Sequence, residues 1–195
     1  MGLALTELSS RRDGAGVTSE TSGLTGTSLL ALSAEASTHM LVADVSGGLH
    51  IAETPEAVAM QTIDRTRIFS EVTFAGKKSE TSLNPDDEVL AVARLLAADT
   101  LGAAQAMIDK AVAYAAERQQ FGRVIGSFQA VKHMCAEMAA RLEPSRALIW
   151  HAAHALDTGE PEGLVMATLA KSHLAEAGTF IARTSTEVHG GVGFT

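Results

Sequence analysis

"AERQQFGRVIGSFQAVKH" (residues 116–133) decides the fold. It sets two phenylalanines, two glycines and a group of basic and amide side chains between stretches patterned as helix. A plain surface turn between two helices needs none of that chemistry. Upstream, Asn84 is placed to cap a helix and Pro85 suits its first position. Asp86, Asp87 and Glu88 suit the positive end of its dipole. Apolar and alanine positions then recur with helical spacing to about Gln119, which predicts a helix of about 50 Å, with Gly102 at a close helix crossing. Gly122 ends it. Ser127 caps a second helix that runs to about Thr158, with a kink at Pro144. Pro161 opens a third, which stops at the glycine pair Gly190–Gly191. Three long helices with apolar faces predict a bundle over residues 84–195.

Residues 1–83 have a different texture, rich in Ser, Thr and Gly, with short apolar runs between turn residues. "LVADV" (41–45), "GLHIAE" (48–53) and "RIFSEVTFAG" (67–76) read as strands, the last with Ile68, Val72 and Phe74 on one face. "SGG" (46–48) is a hairpin signal, and the polar run 9–23 reads as a mobile loop. The expected fold class is α+β: a small antiparallel β-domain (1–83) followed by an antiparallel helical bundle domain (84–195).

Composition narrows the function. Of the 195 residues, 46% are hydrophobic but only 4% aromatic, so the core is built from Ala, Leu, Val, Ile and Met. The formal net charge of −8 argues against a nucleic-acid partner, which needs clustered positive charge. Cys135 is the only cysteine, which leaves no intrachain disulfide and fits a reducing, cytoplasmic setting. No apolar run reaches the ~20 residues of a membrane span. Met1-Gly2-Leu3-Ala4-Leu5-Thr6 formally matches a myristoylation pattern, but nothing polybasic follows it. His151 and His154 lie one helical turn apart without a carboxylate in that turn, so they read as core or surface histidines and no metal site is expected. No nucleophile elbow supports serine hydrolysis.

Two corners carry chemistry. At the first, Arg118, Arg123, Lys132 and His133 surround a helix end and a helix start, whose backbone N–H groups also favour an anion. Gln129 offers an amide, and Phe121 and Phe128 offer faces for a flat ring. A phosphate-bearing planar ligand would use them all. A helical hairpin stapled by two core phenylalanines would also account for them. The second corner, "TEVHGGVGFT" (186–195), has Gly190, Gly191 and Gly193, where backbone can approach a partner closely. It is neither a Rossmann nor a Walker loop, and a simple C-cap explains it equally.

Taken together, "YAAERQQFGRVIGSFQAVKHMCAEMAARLE" (114–143) and "EVHGGVGFT" (187–195) resemble the C-terminal helical domain of the acyl-CoA dehydrogenase family. The Arg-x-x-Phe-Gly, the Phe-Gln and the Gly-Gly-x-Gly fall in order, with "AK" (170–171) between them. "LALTE" (3–7), "LTG" (24–26) and "DRTR…VTF" (64–74) are similar to the family's β-domain. The resemblance implies FAD bound across a subunit interface, with this corner facing the adenosine and pyrophosphate end of a neighbour's flavin. It implies that Arg118 pairs with pyrophosphate, Phe121 packs near the cofactor and Gln129 hydrogen-bonds the adenosine portion. Glu187, Val188, His189, Gly190 and Gly191 would line the same half, and Thr6 would lie near the flavin ring.

The departures from the family pattern are also specific. The usual N-terminal helical domain does not precede the β-domain, and the sequence stops at Thr195 ahead of helices that commonly carry the catalytic glutamate. The other family position for that base aligns near Val92, which takes no proton. Glu187 stands where glutamine is common, and "TSLLALS" (27–33) lacks the Trp-Ile-Thr-like stretch that supports the flavin ring. No catalytic residue is therefore assigned. The expected function is an acyl-CoA dehydrogenase or a subunit of one, performing FAD-dependent α,β-dehydrogenation of an acyl-CoA thioester in fatty acid or sterol side-chain catabolism. It would act as a homo- or hetero-oligomer with related subunits. The alternative is a non-catalytic assembly subunit that has lost flavin.

Overall fold

The computed structural model describes residues 1–5, 14–83 and 94–194, and the chain divides into two compact units, Met1–Asp87 and Glu88–Thr195. In the first unit, strands β1 (Gly2–Ala4), β2 (Gly16–Glu20), β3 (Gly23–Leu32), β4 (His39–Ala43), β5 (Leu49–Glu53), β6 (Ala57–Ala59), β7 (Phe69–Lys77) and β8 (Thr81–Leu83) form one sheet. The order is β6-β7-β3-β1-β4-β5-β8, with β2 paired to β3. All pairings are antiparallel except β1–β4, which is parallel, with Gly2 opposite Met40 and Ala4 opposite Val42. The expectation of a purely antiparallel sheet is corrected on that one pair.

Alternation builds the core of this unit. Val17, Leu24, Met40, Val42, Val72 and Phe74 are buried together, while their strand neighbours Thr18, Thr25 and Thr73 face out. The polar run 9–23 is therefore not all loop. Gly16–Glu20 pairs along β3, and Val17 supplies the apolar anchor that fixes its register. In β7 the buried face is Ser70–Val72–Phe74, whereas Ile68 precedes the strand and is 56% exposed. The hairpin at 46–48 is present, joining β4 to β5.

In the second unit, Arg94 and Leu95 are helical, Leu96 is a turn, and α1 runs Ala97–Glu117. Its 21 residues give about 31 Å, and the expected start of the helix lies outside the described residues. Asn84, Pro85 and Val92 lie outside the described residues. Two short strands follow, β9 (Gln119–Gln120) and β10 (Arg123–Val124), then a 3₁₀ turn (Ile125–Ser127), α2 (Gln129–Asp157) and α3 (Gly163–His189). Ser127 does not cap α2. Its Oγ donates to the Val124 carbonyl at 2.7 Å, and extended Phe128 takes the N-cap position without a side-chain cap. Pro144 sits inside α2 without ending it. Pro144 has no N–H to offer the Ala140 carbonyl one turn back, and Ala140 is exposed.

The three helices pack as a bundle around Ala104, Ile108, Ala111, Met138, Leu142 and Ile181. The close crossing falls at Gly178. A Cβ there would stand 2.6 Å from Thr100 Cγ2, so a larger residue would have to displace the Thr100 side chain. Gly102, expected at that crossing, is exposed with nothing near its missing side chain. At the end of α3, Gly190 adopts φ 61° and terminates the helix as expected.

Candidate functional site

The first corner is built by a two-residue hairpin. α1 stops when Arg118 turns extended (φ −65°, ψ 123°) while its N–H still reaches the Tyr114 carbonyl at 2.8 Å. Gln120 then pairs with Arg123 and Gln119 with Val124, across a turn made by Phe121 (φ 54°) and Gly122 (φ 79°). Two positive φ values in succession are a type I′ turn, which matches the twist of a two-residue hairpin. A non-glycine residue in that region costs about 1–2 kcal/mol. Here the residue is a phenylalanine with 92% of its surface exposed. The Ile125 N–H closes the loop onto the Arg118 carbonyl at 2.8 Å.

Phe128 anchors the hairpin. Phe121 meets it edge to face with centroids 6.2 Å apart, and the Arg123 guanidinium lies 4.0 Å from its ring centre. The bland picture of two core phenylalanines fails for Phe121, which stands in solvent, and holds in part for half-buried Phe128. Among the described residues, Arg118, Arg123, Lys132 and His133 have no carboxylate partner within ion-pair distance. In an acidic chain, Arg118, Arg123 and Lys132 concentrate positive charge around the link between α1 and α2. Gln129 is exposed as the first residue of α2, where the backbone N–H groups lack intrahelical acceptors.

The glycine corner lies at the same end of the bundle. His189, the last residue of α3, stacks on Tyr114 with ring centroids 4.7 Å apart and an interplanar angle of 27°. Its Nδ1 donates to the Ser185 carbonyl at 2.7 Å, which fixes the ring. Tyr114 is one helical turn before Arg118, so the stack ties the glycine turn to the basic hairpin. Glu187, Gly190 and Gly191 are exposed beside it. The Val188 side chain is buried in the bundle core and supports the turn from below. Thr6 lies outside the described residues, and 27–32 is the second part of β3, with a register shift at Ser28–Ala31 and Leu30 at φ 58°.

Behind the hairpin, between the end of α1 and the start of α2, is a cleft of about 500 Å³ lined by Val112, Ala116, Val124, Val131, Lys132 and Cys135, among others. Burial pushes the Cys135 thiol pKa up, so this thiol is a packing group rather than a nucleophile. Among the described residues no group of three or more His, Cys, Asp or Glu is placed to hold a metal. His151 and His154 instead face Glu162 and Glu160 at 3.3 Å and 4.0 Å. No helix among them is long and apolar enough to cross a membrane.

Sequence reasoning found the residues of both corners but missed what joins them. Tyr114, the only tyrosine in the chain, standing one turn before Arg118, is the signal that was available.

The family model for the C-terminal domain of acyl-CoA dehydrogenases matches residues 87–195, more than half of the chain. Acyl-CoA dehydrogenase IpdE2 of Mycolicibacterium smegmatis is 34% identical over 145 residues, covering 73% of this chain and 43% of that protein. The structure of glutaryl-coenzyme A dehydrogenase in its glutaryl-CoA complex superposes with a TM-score of 0.78 at 25% identity, over 100% of this chain and 57% of that one. The Tcur3481-Tcur3483 steroid ACAD gives a TM-score of 0.76 at 29% identity, over 92% of this chain and 52% of that one. The matches span between 15% and 43% of the length of the curated relatives.

Proposed function

The chain belongs to the acyl-CoA dehydrogenase family, and on that premise we propose that it serves an FAD-dependent acyl-CoA dehydrogenase as the part that holds the adenosine and pyrophosphate half of the flavin. The observation that carries the proposal is the stack of His189 on Tyr114, which sets the unpaired Arg118 hairpin and the Gly190–Gly191 turn at one end of the bundle.

The residues fit that half of FAD. Arg118 supplies a planar, permanently charged fork for pyrophosphate oxygens. Phe121, already held out by its turn, supplies a face for the cofactor. Gln129 donates to and accepts from the adenosine portion. Gly190 and Gly191 offer backbone that no side chain shields, while His189 and Val188 hold that turn in place. Glu187 is the poor fit: its carboxylate has to point away from the phosphates or be neutralised by the nearby basic groups. Thr6 is proposed near the flavin ring. When bound, FAD supplies the acceptor for the β-hydride of the acyl-CoA thioester.

The site faces outward, so it serves a flavin held mainly by another subunit. Phe121, Trp150 and Phe194 are 92%, 72% and 84% exposed, which suits burial in a homo- or hetero-oligomer of related subunits. The substrate class is an acyl-CoA thioester of lipid catabolism, a fatty acyl chain or a sterol side chain, handled in the cytoplasm. A non-catalytic assembly subunit is the second reading, favoured by the Glu187 carboxylate in a phosphate-facing turn.

Flavin content decides between the two. A purified oligomer that retains FAD through gel filtration, and loses it in Arg118→Ala, supports the flavin-holding role. A colourless oligomer that takes up no added FAD supports the assembly role. A monodisperse monomer of 20.3 kDa at micromolar concentration defeats both.

A further inference from the structure

A second cluster of chemically capable groups lies in the β-unit and has no part in the flavin corner. Asp44 and His50 are each 5% exposed. They face each other across the β4–β5 hairpin, with His50 Nε2 2.9 Å from Asp44 Oδ2. The other carboxylate oxygen, Oδ1, accepts from the Ser46 N–H at 2.8 Å, the Ser46 hydroxyl at 2.6 Å and the Gly48 N–H at 2.9 Å. A Cβ at position 48 would stand 2.7 Å from Asp44 Oδ2 and 3.2 Å from His50 Nε2, so a side chain there would displace the pair. The hairpin is shaped around this pair.

The proton inventory orients the ring. Burial pushes the Asp44 pKa up, but its hydrogen bonds from Ser46, His50 and Gly48 outweigh that and hold it below the usual carboxylate range. An ionised Asp44 only accepts, so His50 Nε2 donates to it and Nδ1 is the ring nitrogen that faces the serines. Two hydroxyls lie 3.3 Å from Nδ1, those of Ser79 and Ser82. The Ser79 hydrogen is committed to the Thr81 carbonyl at 2.9 Å. Only Ser82 is left to donate to Nδ1. Ser82 sits directly opposite His50 on β8, the edge strand of the sheet, and is exposed.

We propose that Ser82 is an acylation site: Asp44 and His50 activate its hydroxyl toward activated acyl groups, namely esters with good leaving groups and thioesters. Ser82 Oγ forms a bond to the acyl carbon as the C–O or C–S bond to the leaving group breaks. His50 Nδ1 takes the serine proton and passes it to the departing alkoxide or thiolate, which leaves as the alcohol or thiol. No oxidant or reductant is required. The imidazolium formed in passing is well received, with Asp44 on its Nε2–H and the Ser79 oxygen, whose own hydrogen points elsewhere, on its Nδ1–H. A buried, oriented base behind an exposed hydroxyl is the arrangement that makes a serine nucleophilic.

The test uses the full chain with p-nitrophenyl acetate in one arm and acetyl-CoA in the other, followed by peptide mass mapping. The expected result is one acetyl group on Ser82. Ser82→Ala should lose that label. His50→Gln should slow it by about 10²-fold or more, the usual contribution of a general base. Because His50→Gln also alters a hydrogen bond within the hairpin, Ser79→Ala serves as the second variant: it leaves the Asp44–His50 pair intact and should slow labelling by a smaller factor with the fold unchanged by circular dichroism. Labelling in the ester arm alone limits the donors to esters and overturns the thioester part. Labelling confined to lysines, or Ser82 labelled equally fast in His50→Gln, overturns the proposal.

Discussion

The ring of His189 lies against the ring of Tyr114, and this contact joins the C-terminal ends of α1 and α3 where the basic hairpin and the glycine turn begin. An aromatic pair contributes about 0.5–1.5 kcal/mol beyond its buried area. Tyr114→Ala is therefore expected to destabilise the helical unit by about 1–3 kcal/mol and to weaken FAD, whereas Tyr114→Phe keeps both. Chemical denaturation and FAD titration of the two variants check this. Equal FAD affinity in Tyr114→Ala would disconnect the stack from the site.

Arg118 should matter through its shape as well as its charge. Arg118→Ala is expected to weaken FAD by about 1.5–3 kcal/mol, the range for a hydrogen bond to a charged group. Arg118→Lys keeps the charge but loses the planar fork, so it too should lose affinity, by less. Fluorescence titration with FAD measures both. A lysine variant indistinguishable from wild type would reduce the contact to a point charge.

Two glycines make opposite predictions. Gly178→Val places a Cβ 2.6 Å from Thr100 Cγ2, and overpacking of this kind costs about 1–3 kcal/mol. Gly102→Ala adds a methyl in open space within a helix and should stabilise by about 0.4–1 kcal/mol. Thermal unfolding of each variant is the measurement, and a shift of the same sign in both would contradict the crossing geometry.

Those glycines also mark how far the sequence carries. Helical spacing places Gly102 and Gly178 in helices, but spacing within one helix does not say which of its residues meets another. Alternation in β7 has the same limit: Val72 and Phe74 are read correctly, yet Ile68 falls outside the strand and buried Ser70 takes its place. The Arg-x-x-Phe-Gly and Gly-Gly-x-Gly corners were legible because their residue types are costly as mere surface. Ser127 looked like a cap by type, but its hydroxyl turns back to the Val124 carbonyl. The Asp44–His50 pair left no pattern at all, since it depends on a hairpin folding six residues back on themselves.

Asp44 sets an acid limit on the β-unit. Its folded pKa lies below the ordinary carboxylate value, so its stabilising contribution is complete above that value and is lost as pH falls through the folded pKa. The loss therefore begins below about pH 4 and continues downward. Asp44→Asn should show a lower urea midpoint at neutral pH and a flatter decline on acidification. Parallel acid limbs in the two proteins would assign the effect to other carboxylates.

The last prediction is that this chain alone does not dehydrogenate an acyl-CoA. Removing the α-proton of a thioester requires a positioned base, which contributes about 10²–10⁴ in rate and works best shielded from water. Every described carboxylate of the helical unit is solvent-exposed, including Glu117 and Glu187 at the flavin corner. Glu187 belongs to the turn proposed for the adenosine half, remote from a flavin ring. Val92, which the resemblance places near one family position for the base, has no titratable group. The chain should therefore bind FAD in an oligomer yet leave it oxidised. The measurement is the loss of oxidised-flavin absorbance after saturated acyl-CoAs of several chain lengths are added to the FAD-loaded chain. No bleaching is expected with the chain alone, and bleaching should appear when a related subunit carrying an active-site glutamate is added. Prompt bleaching by the chain alone would mean that one of its own carboxylates reaches the α-carbon, and Glu187→Gln and Glu117→Gln would then identify which.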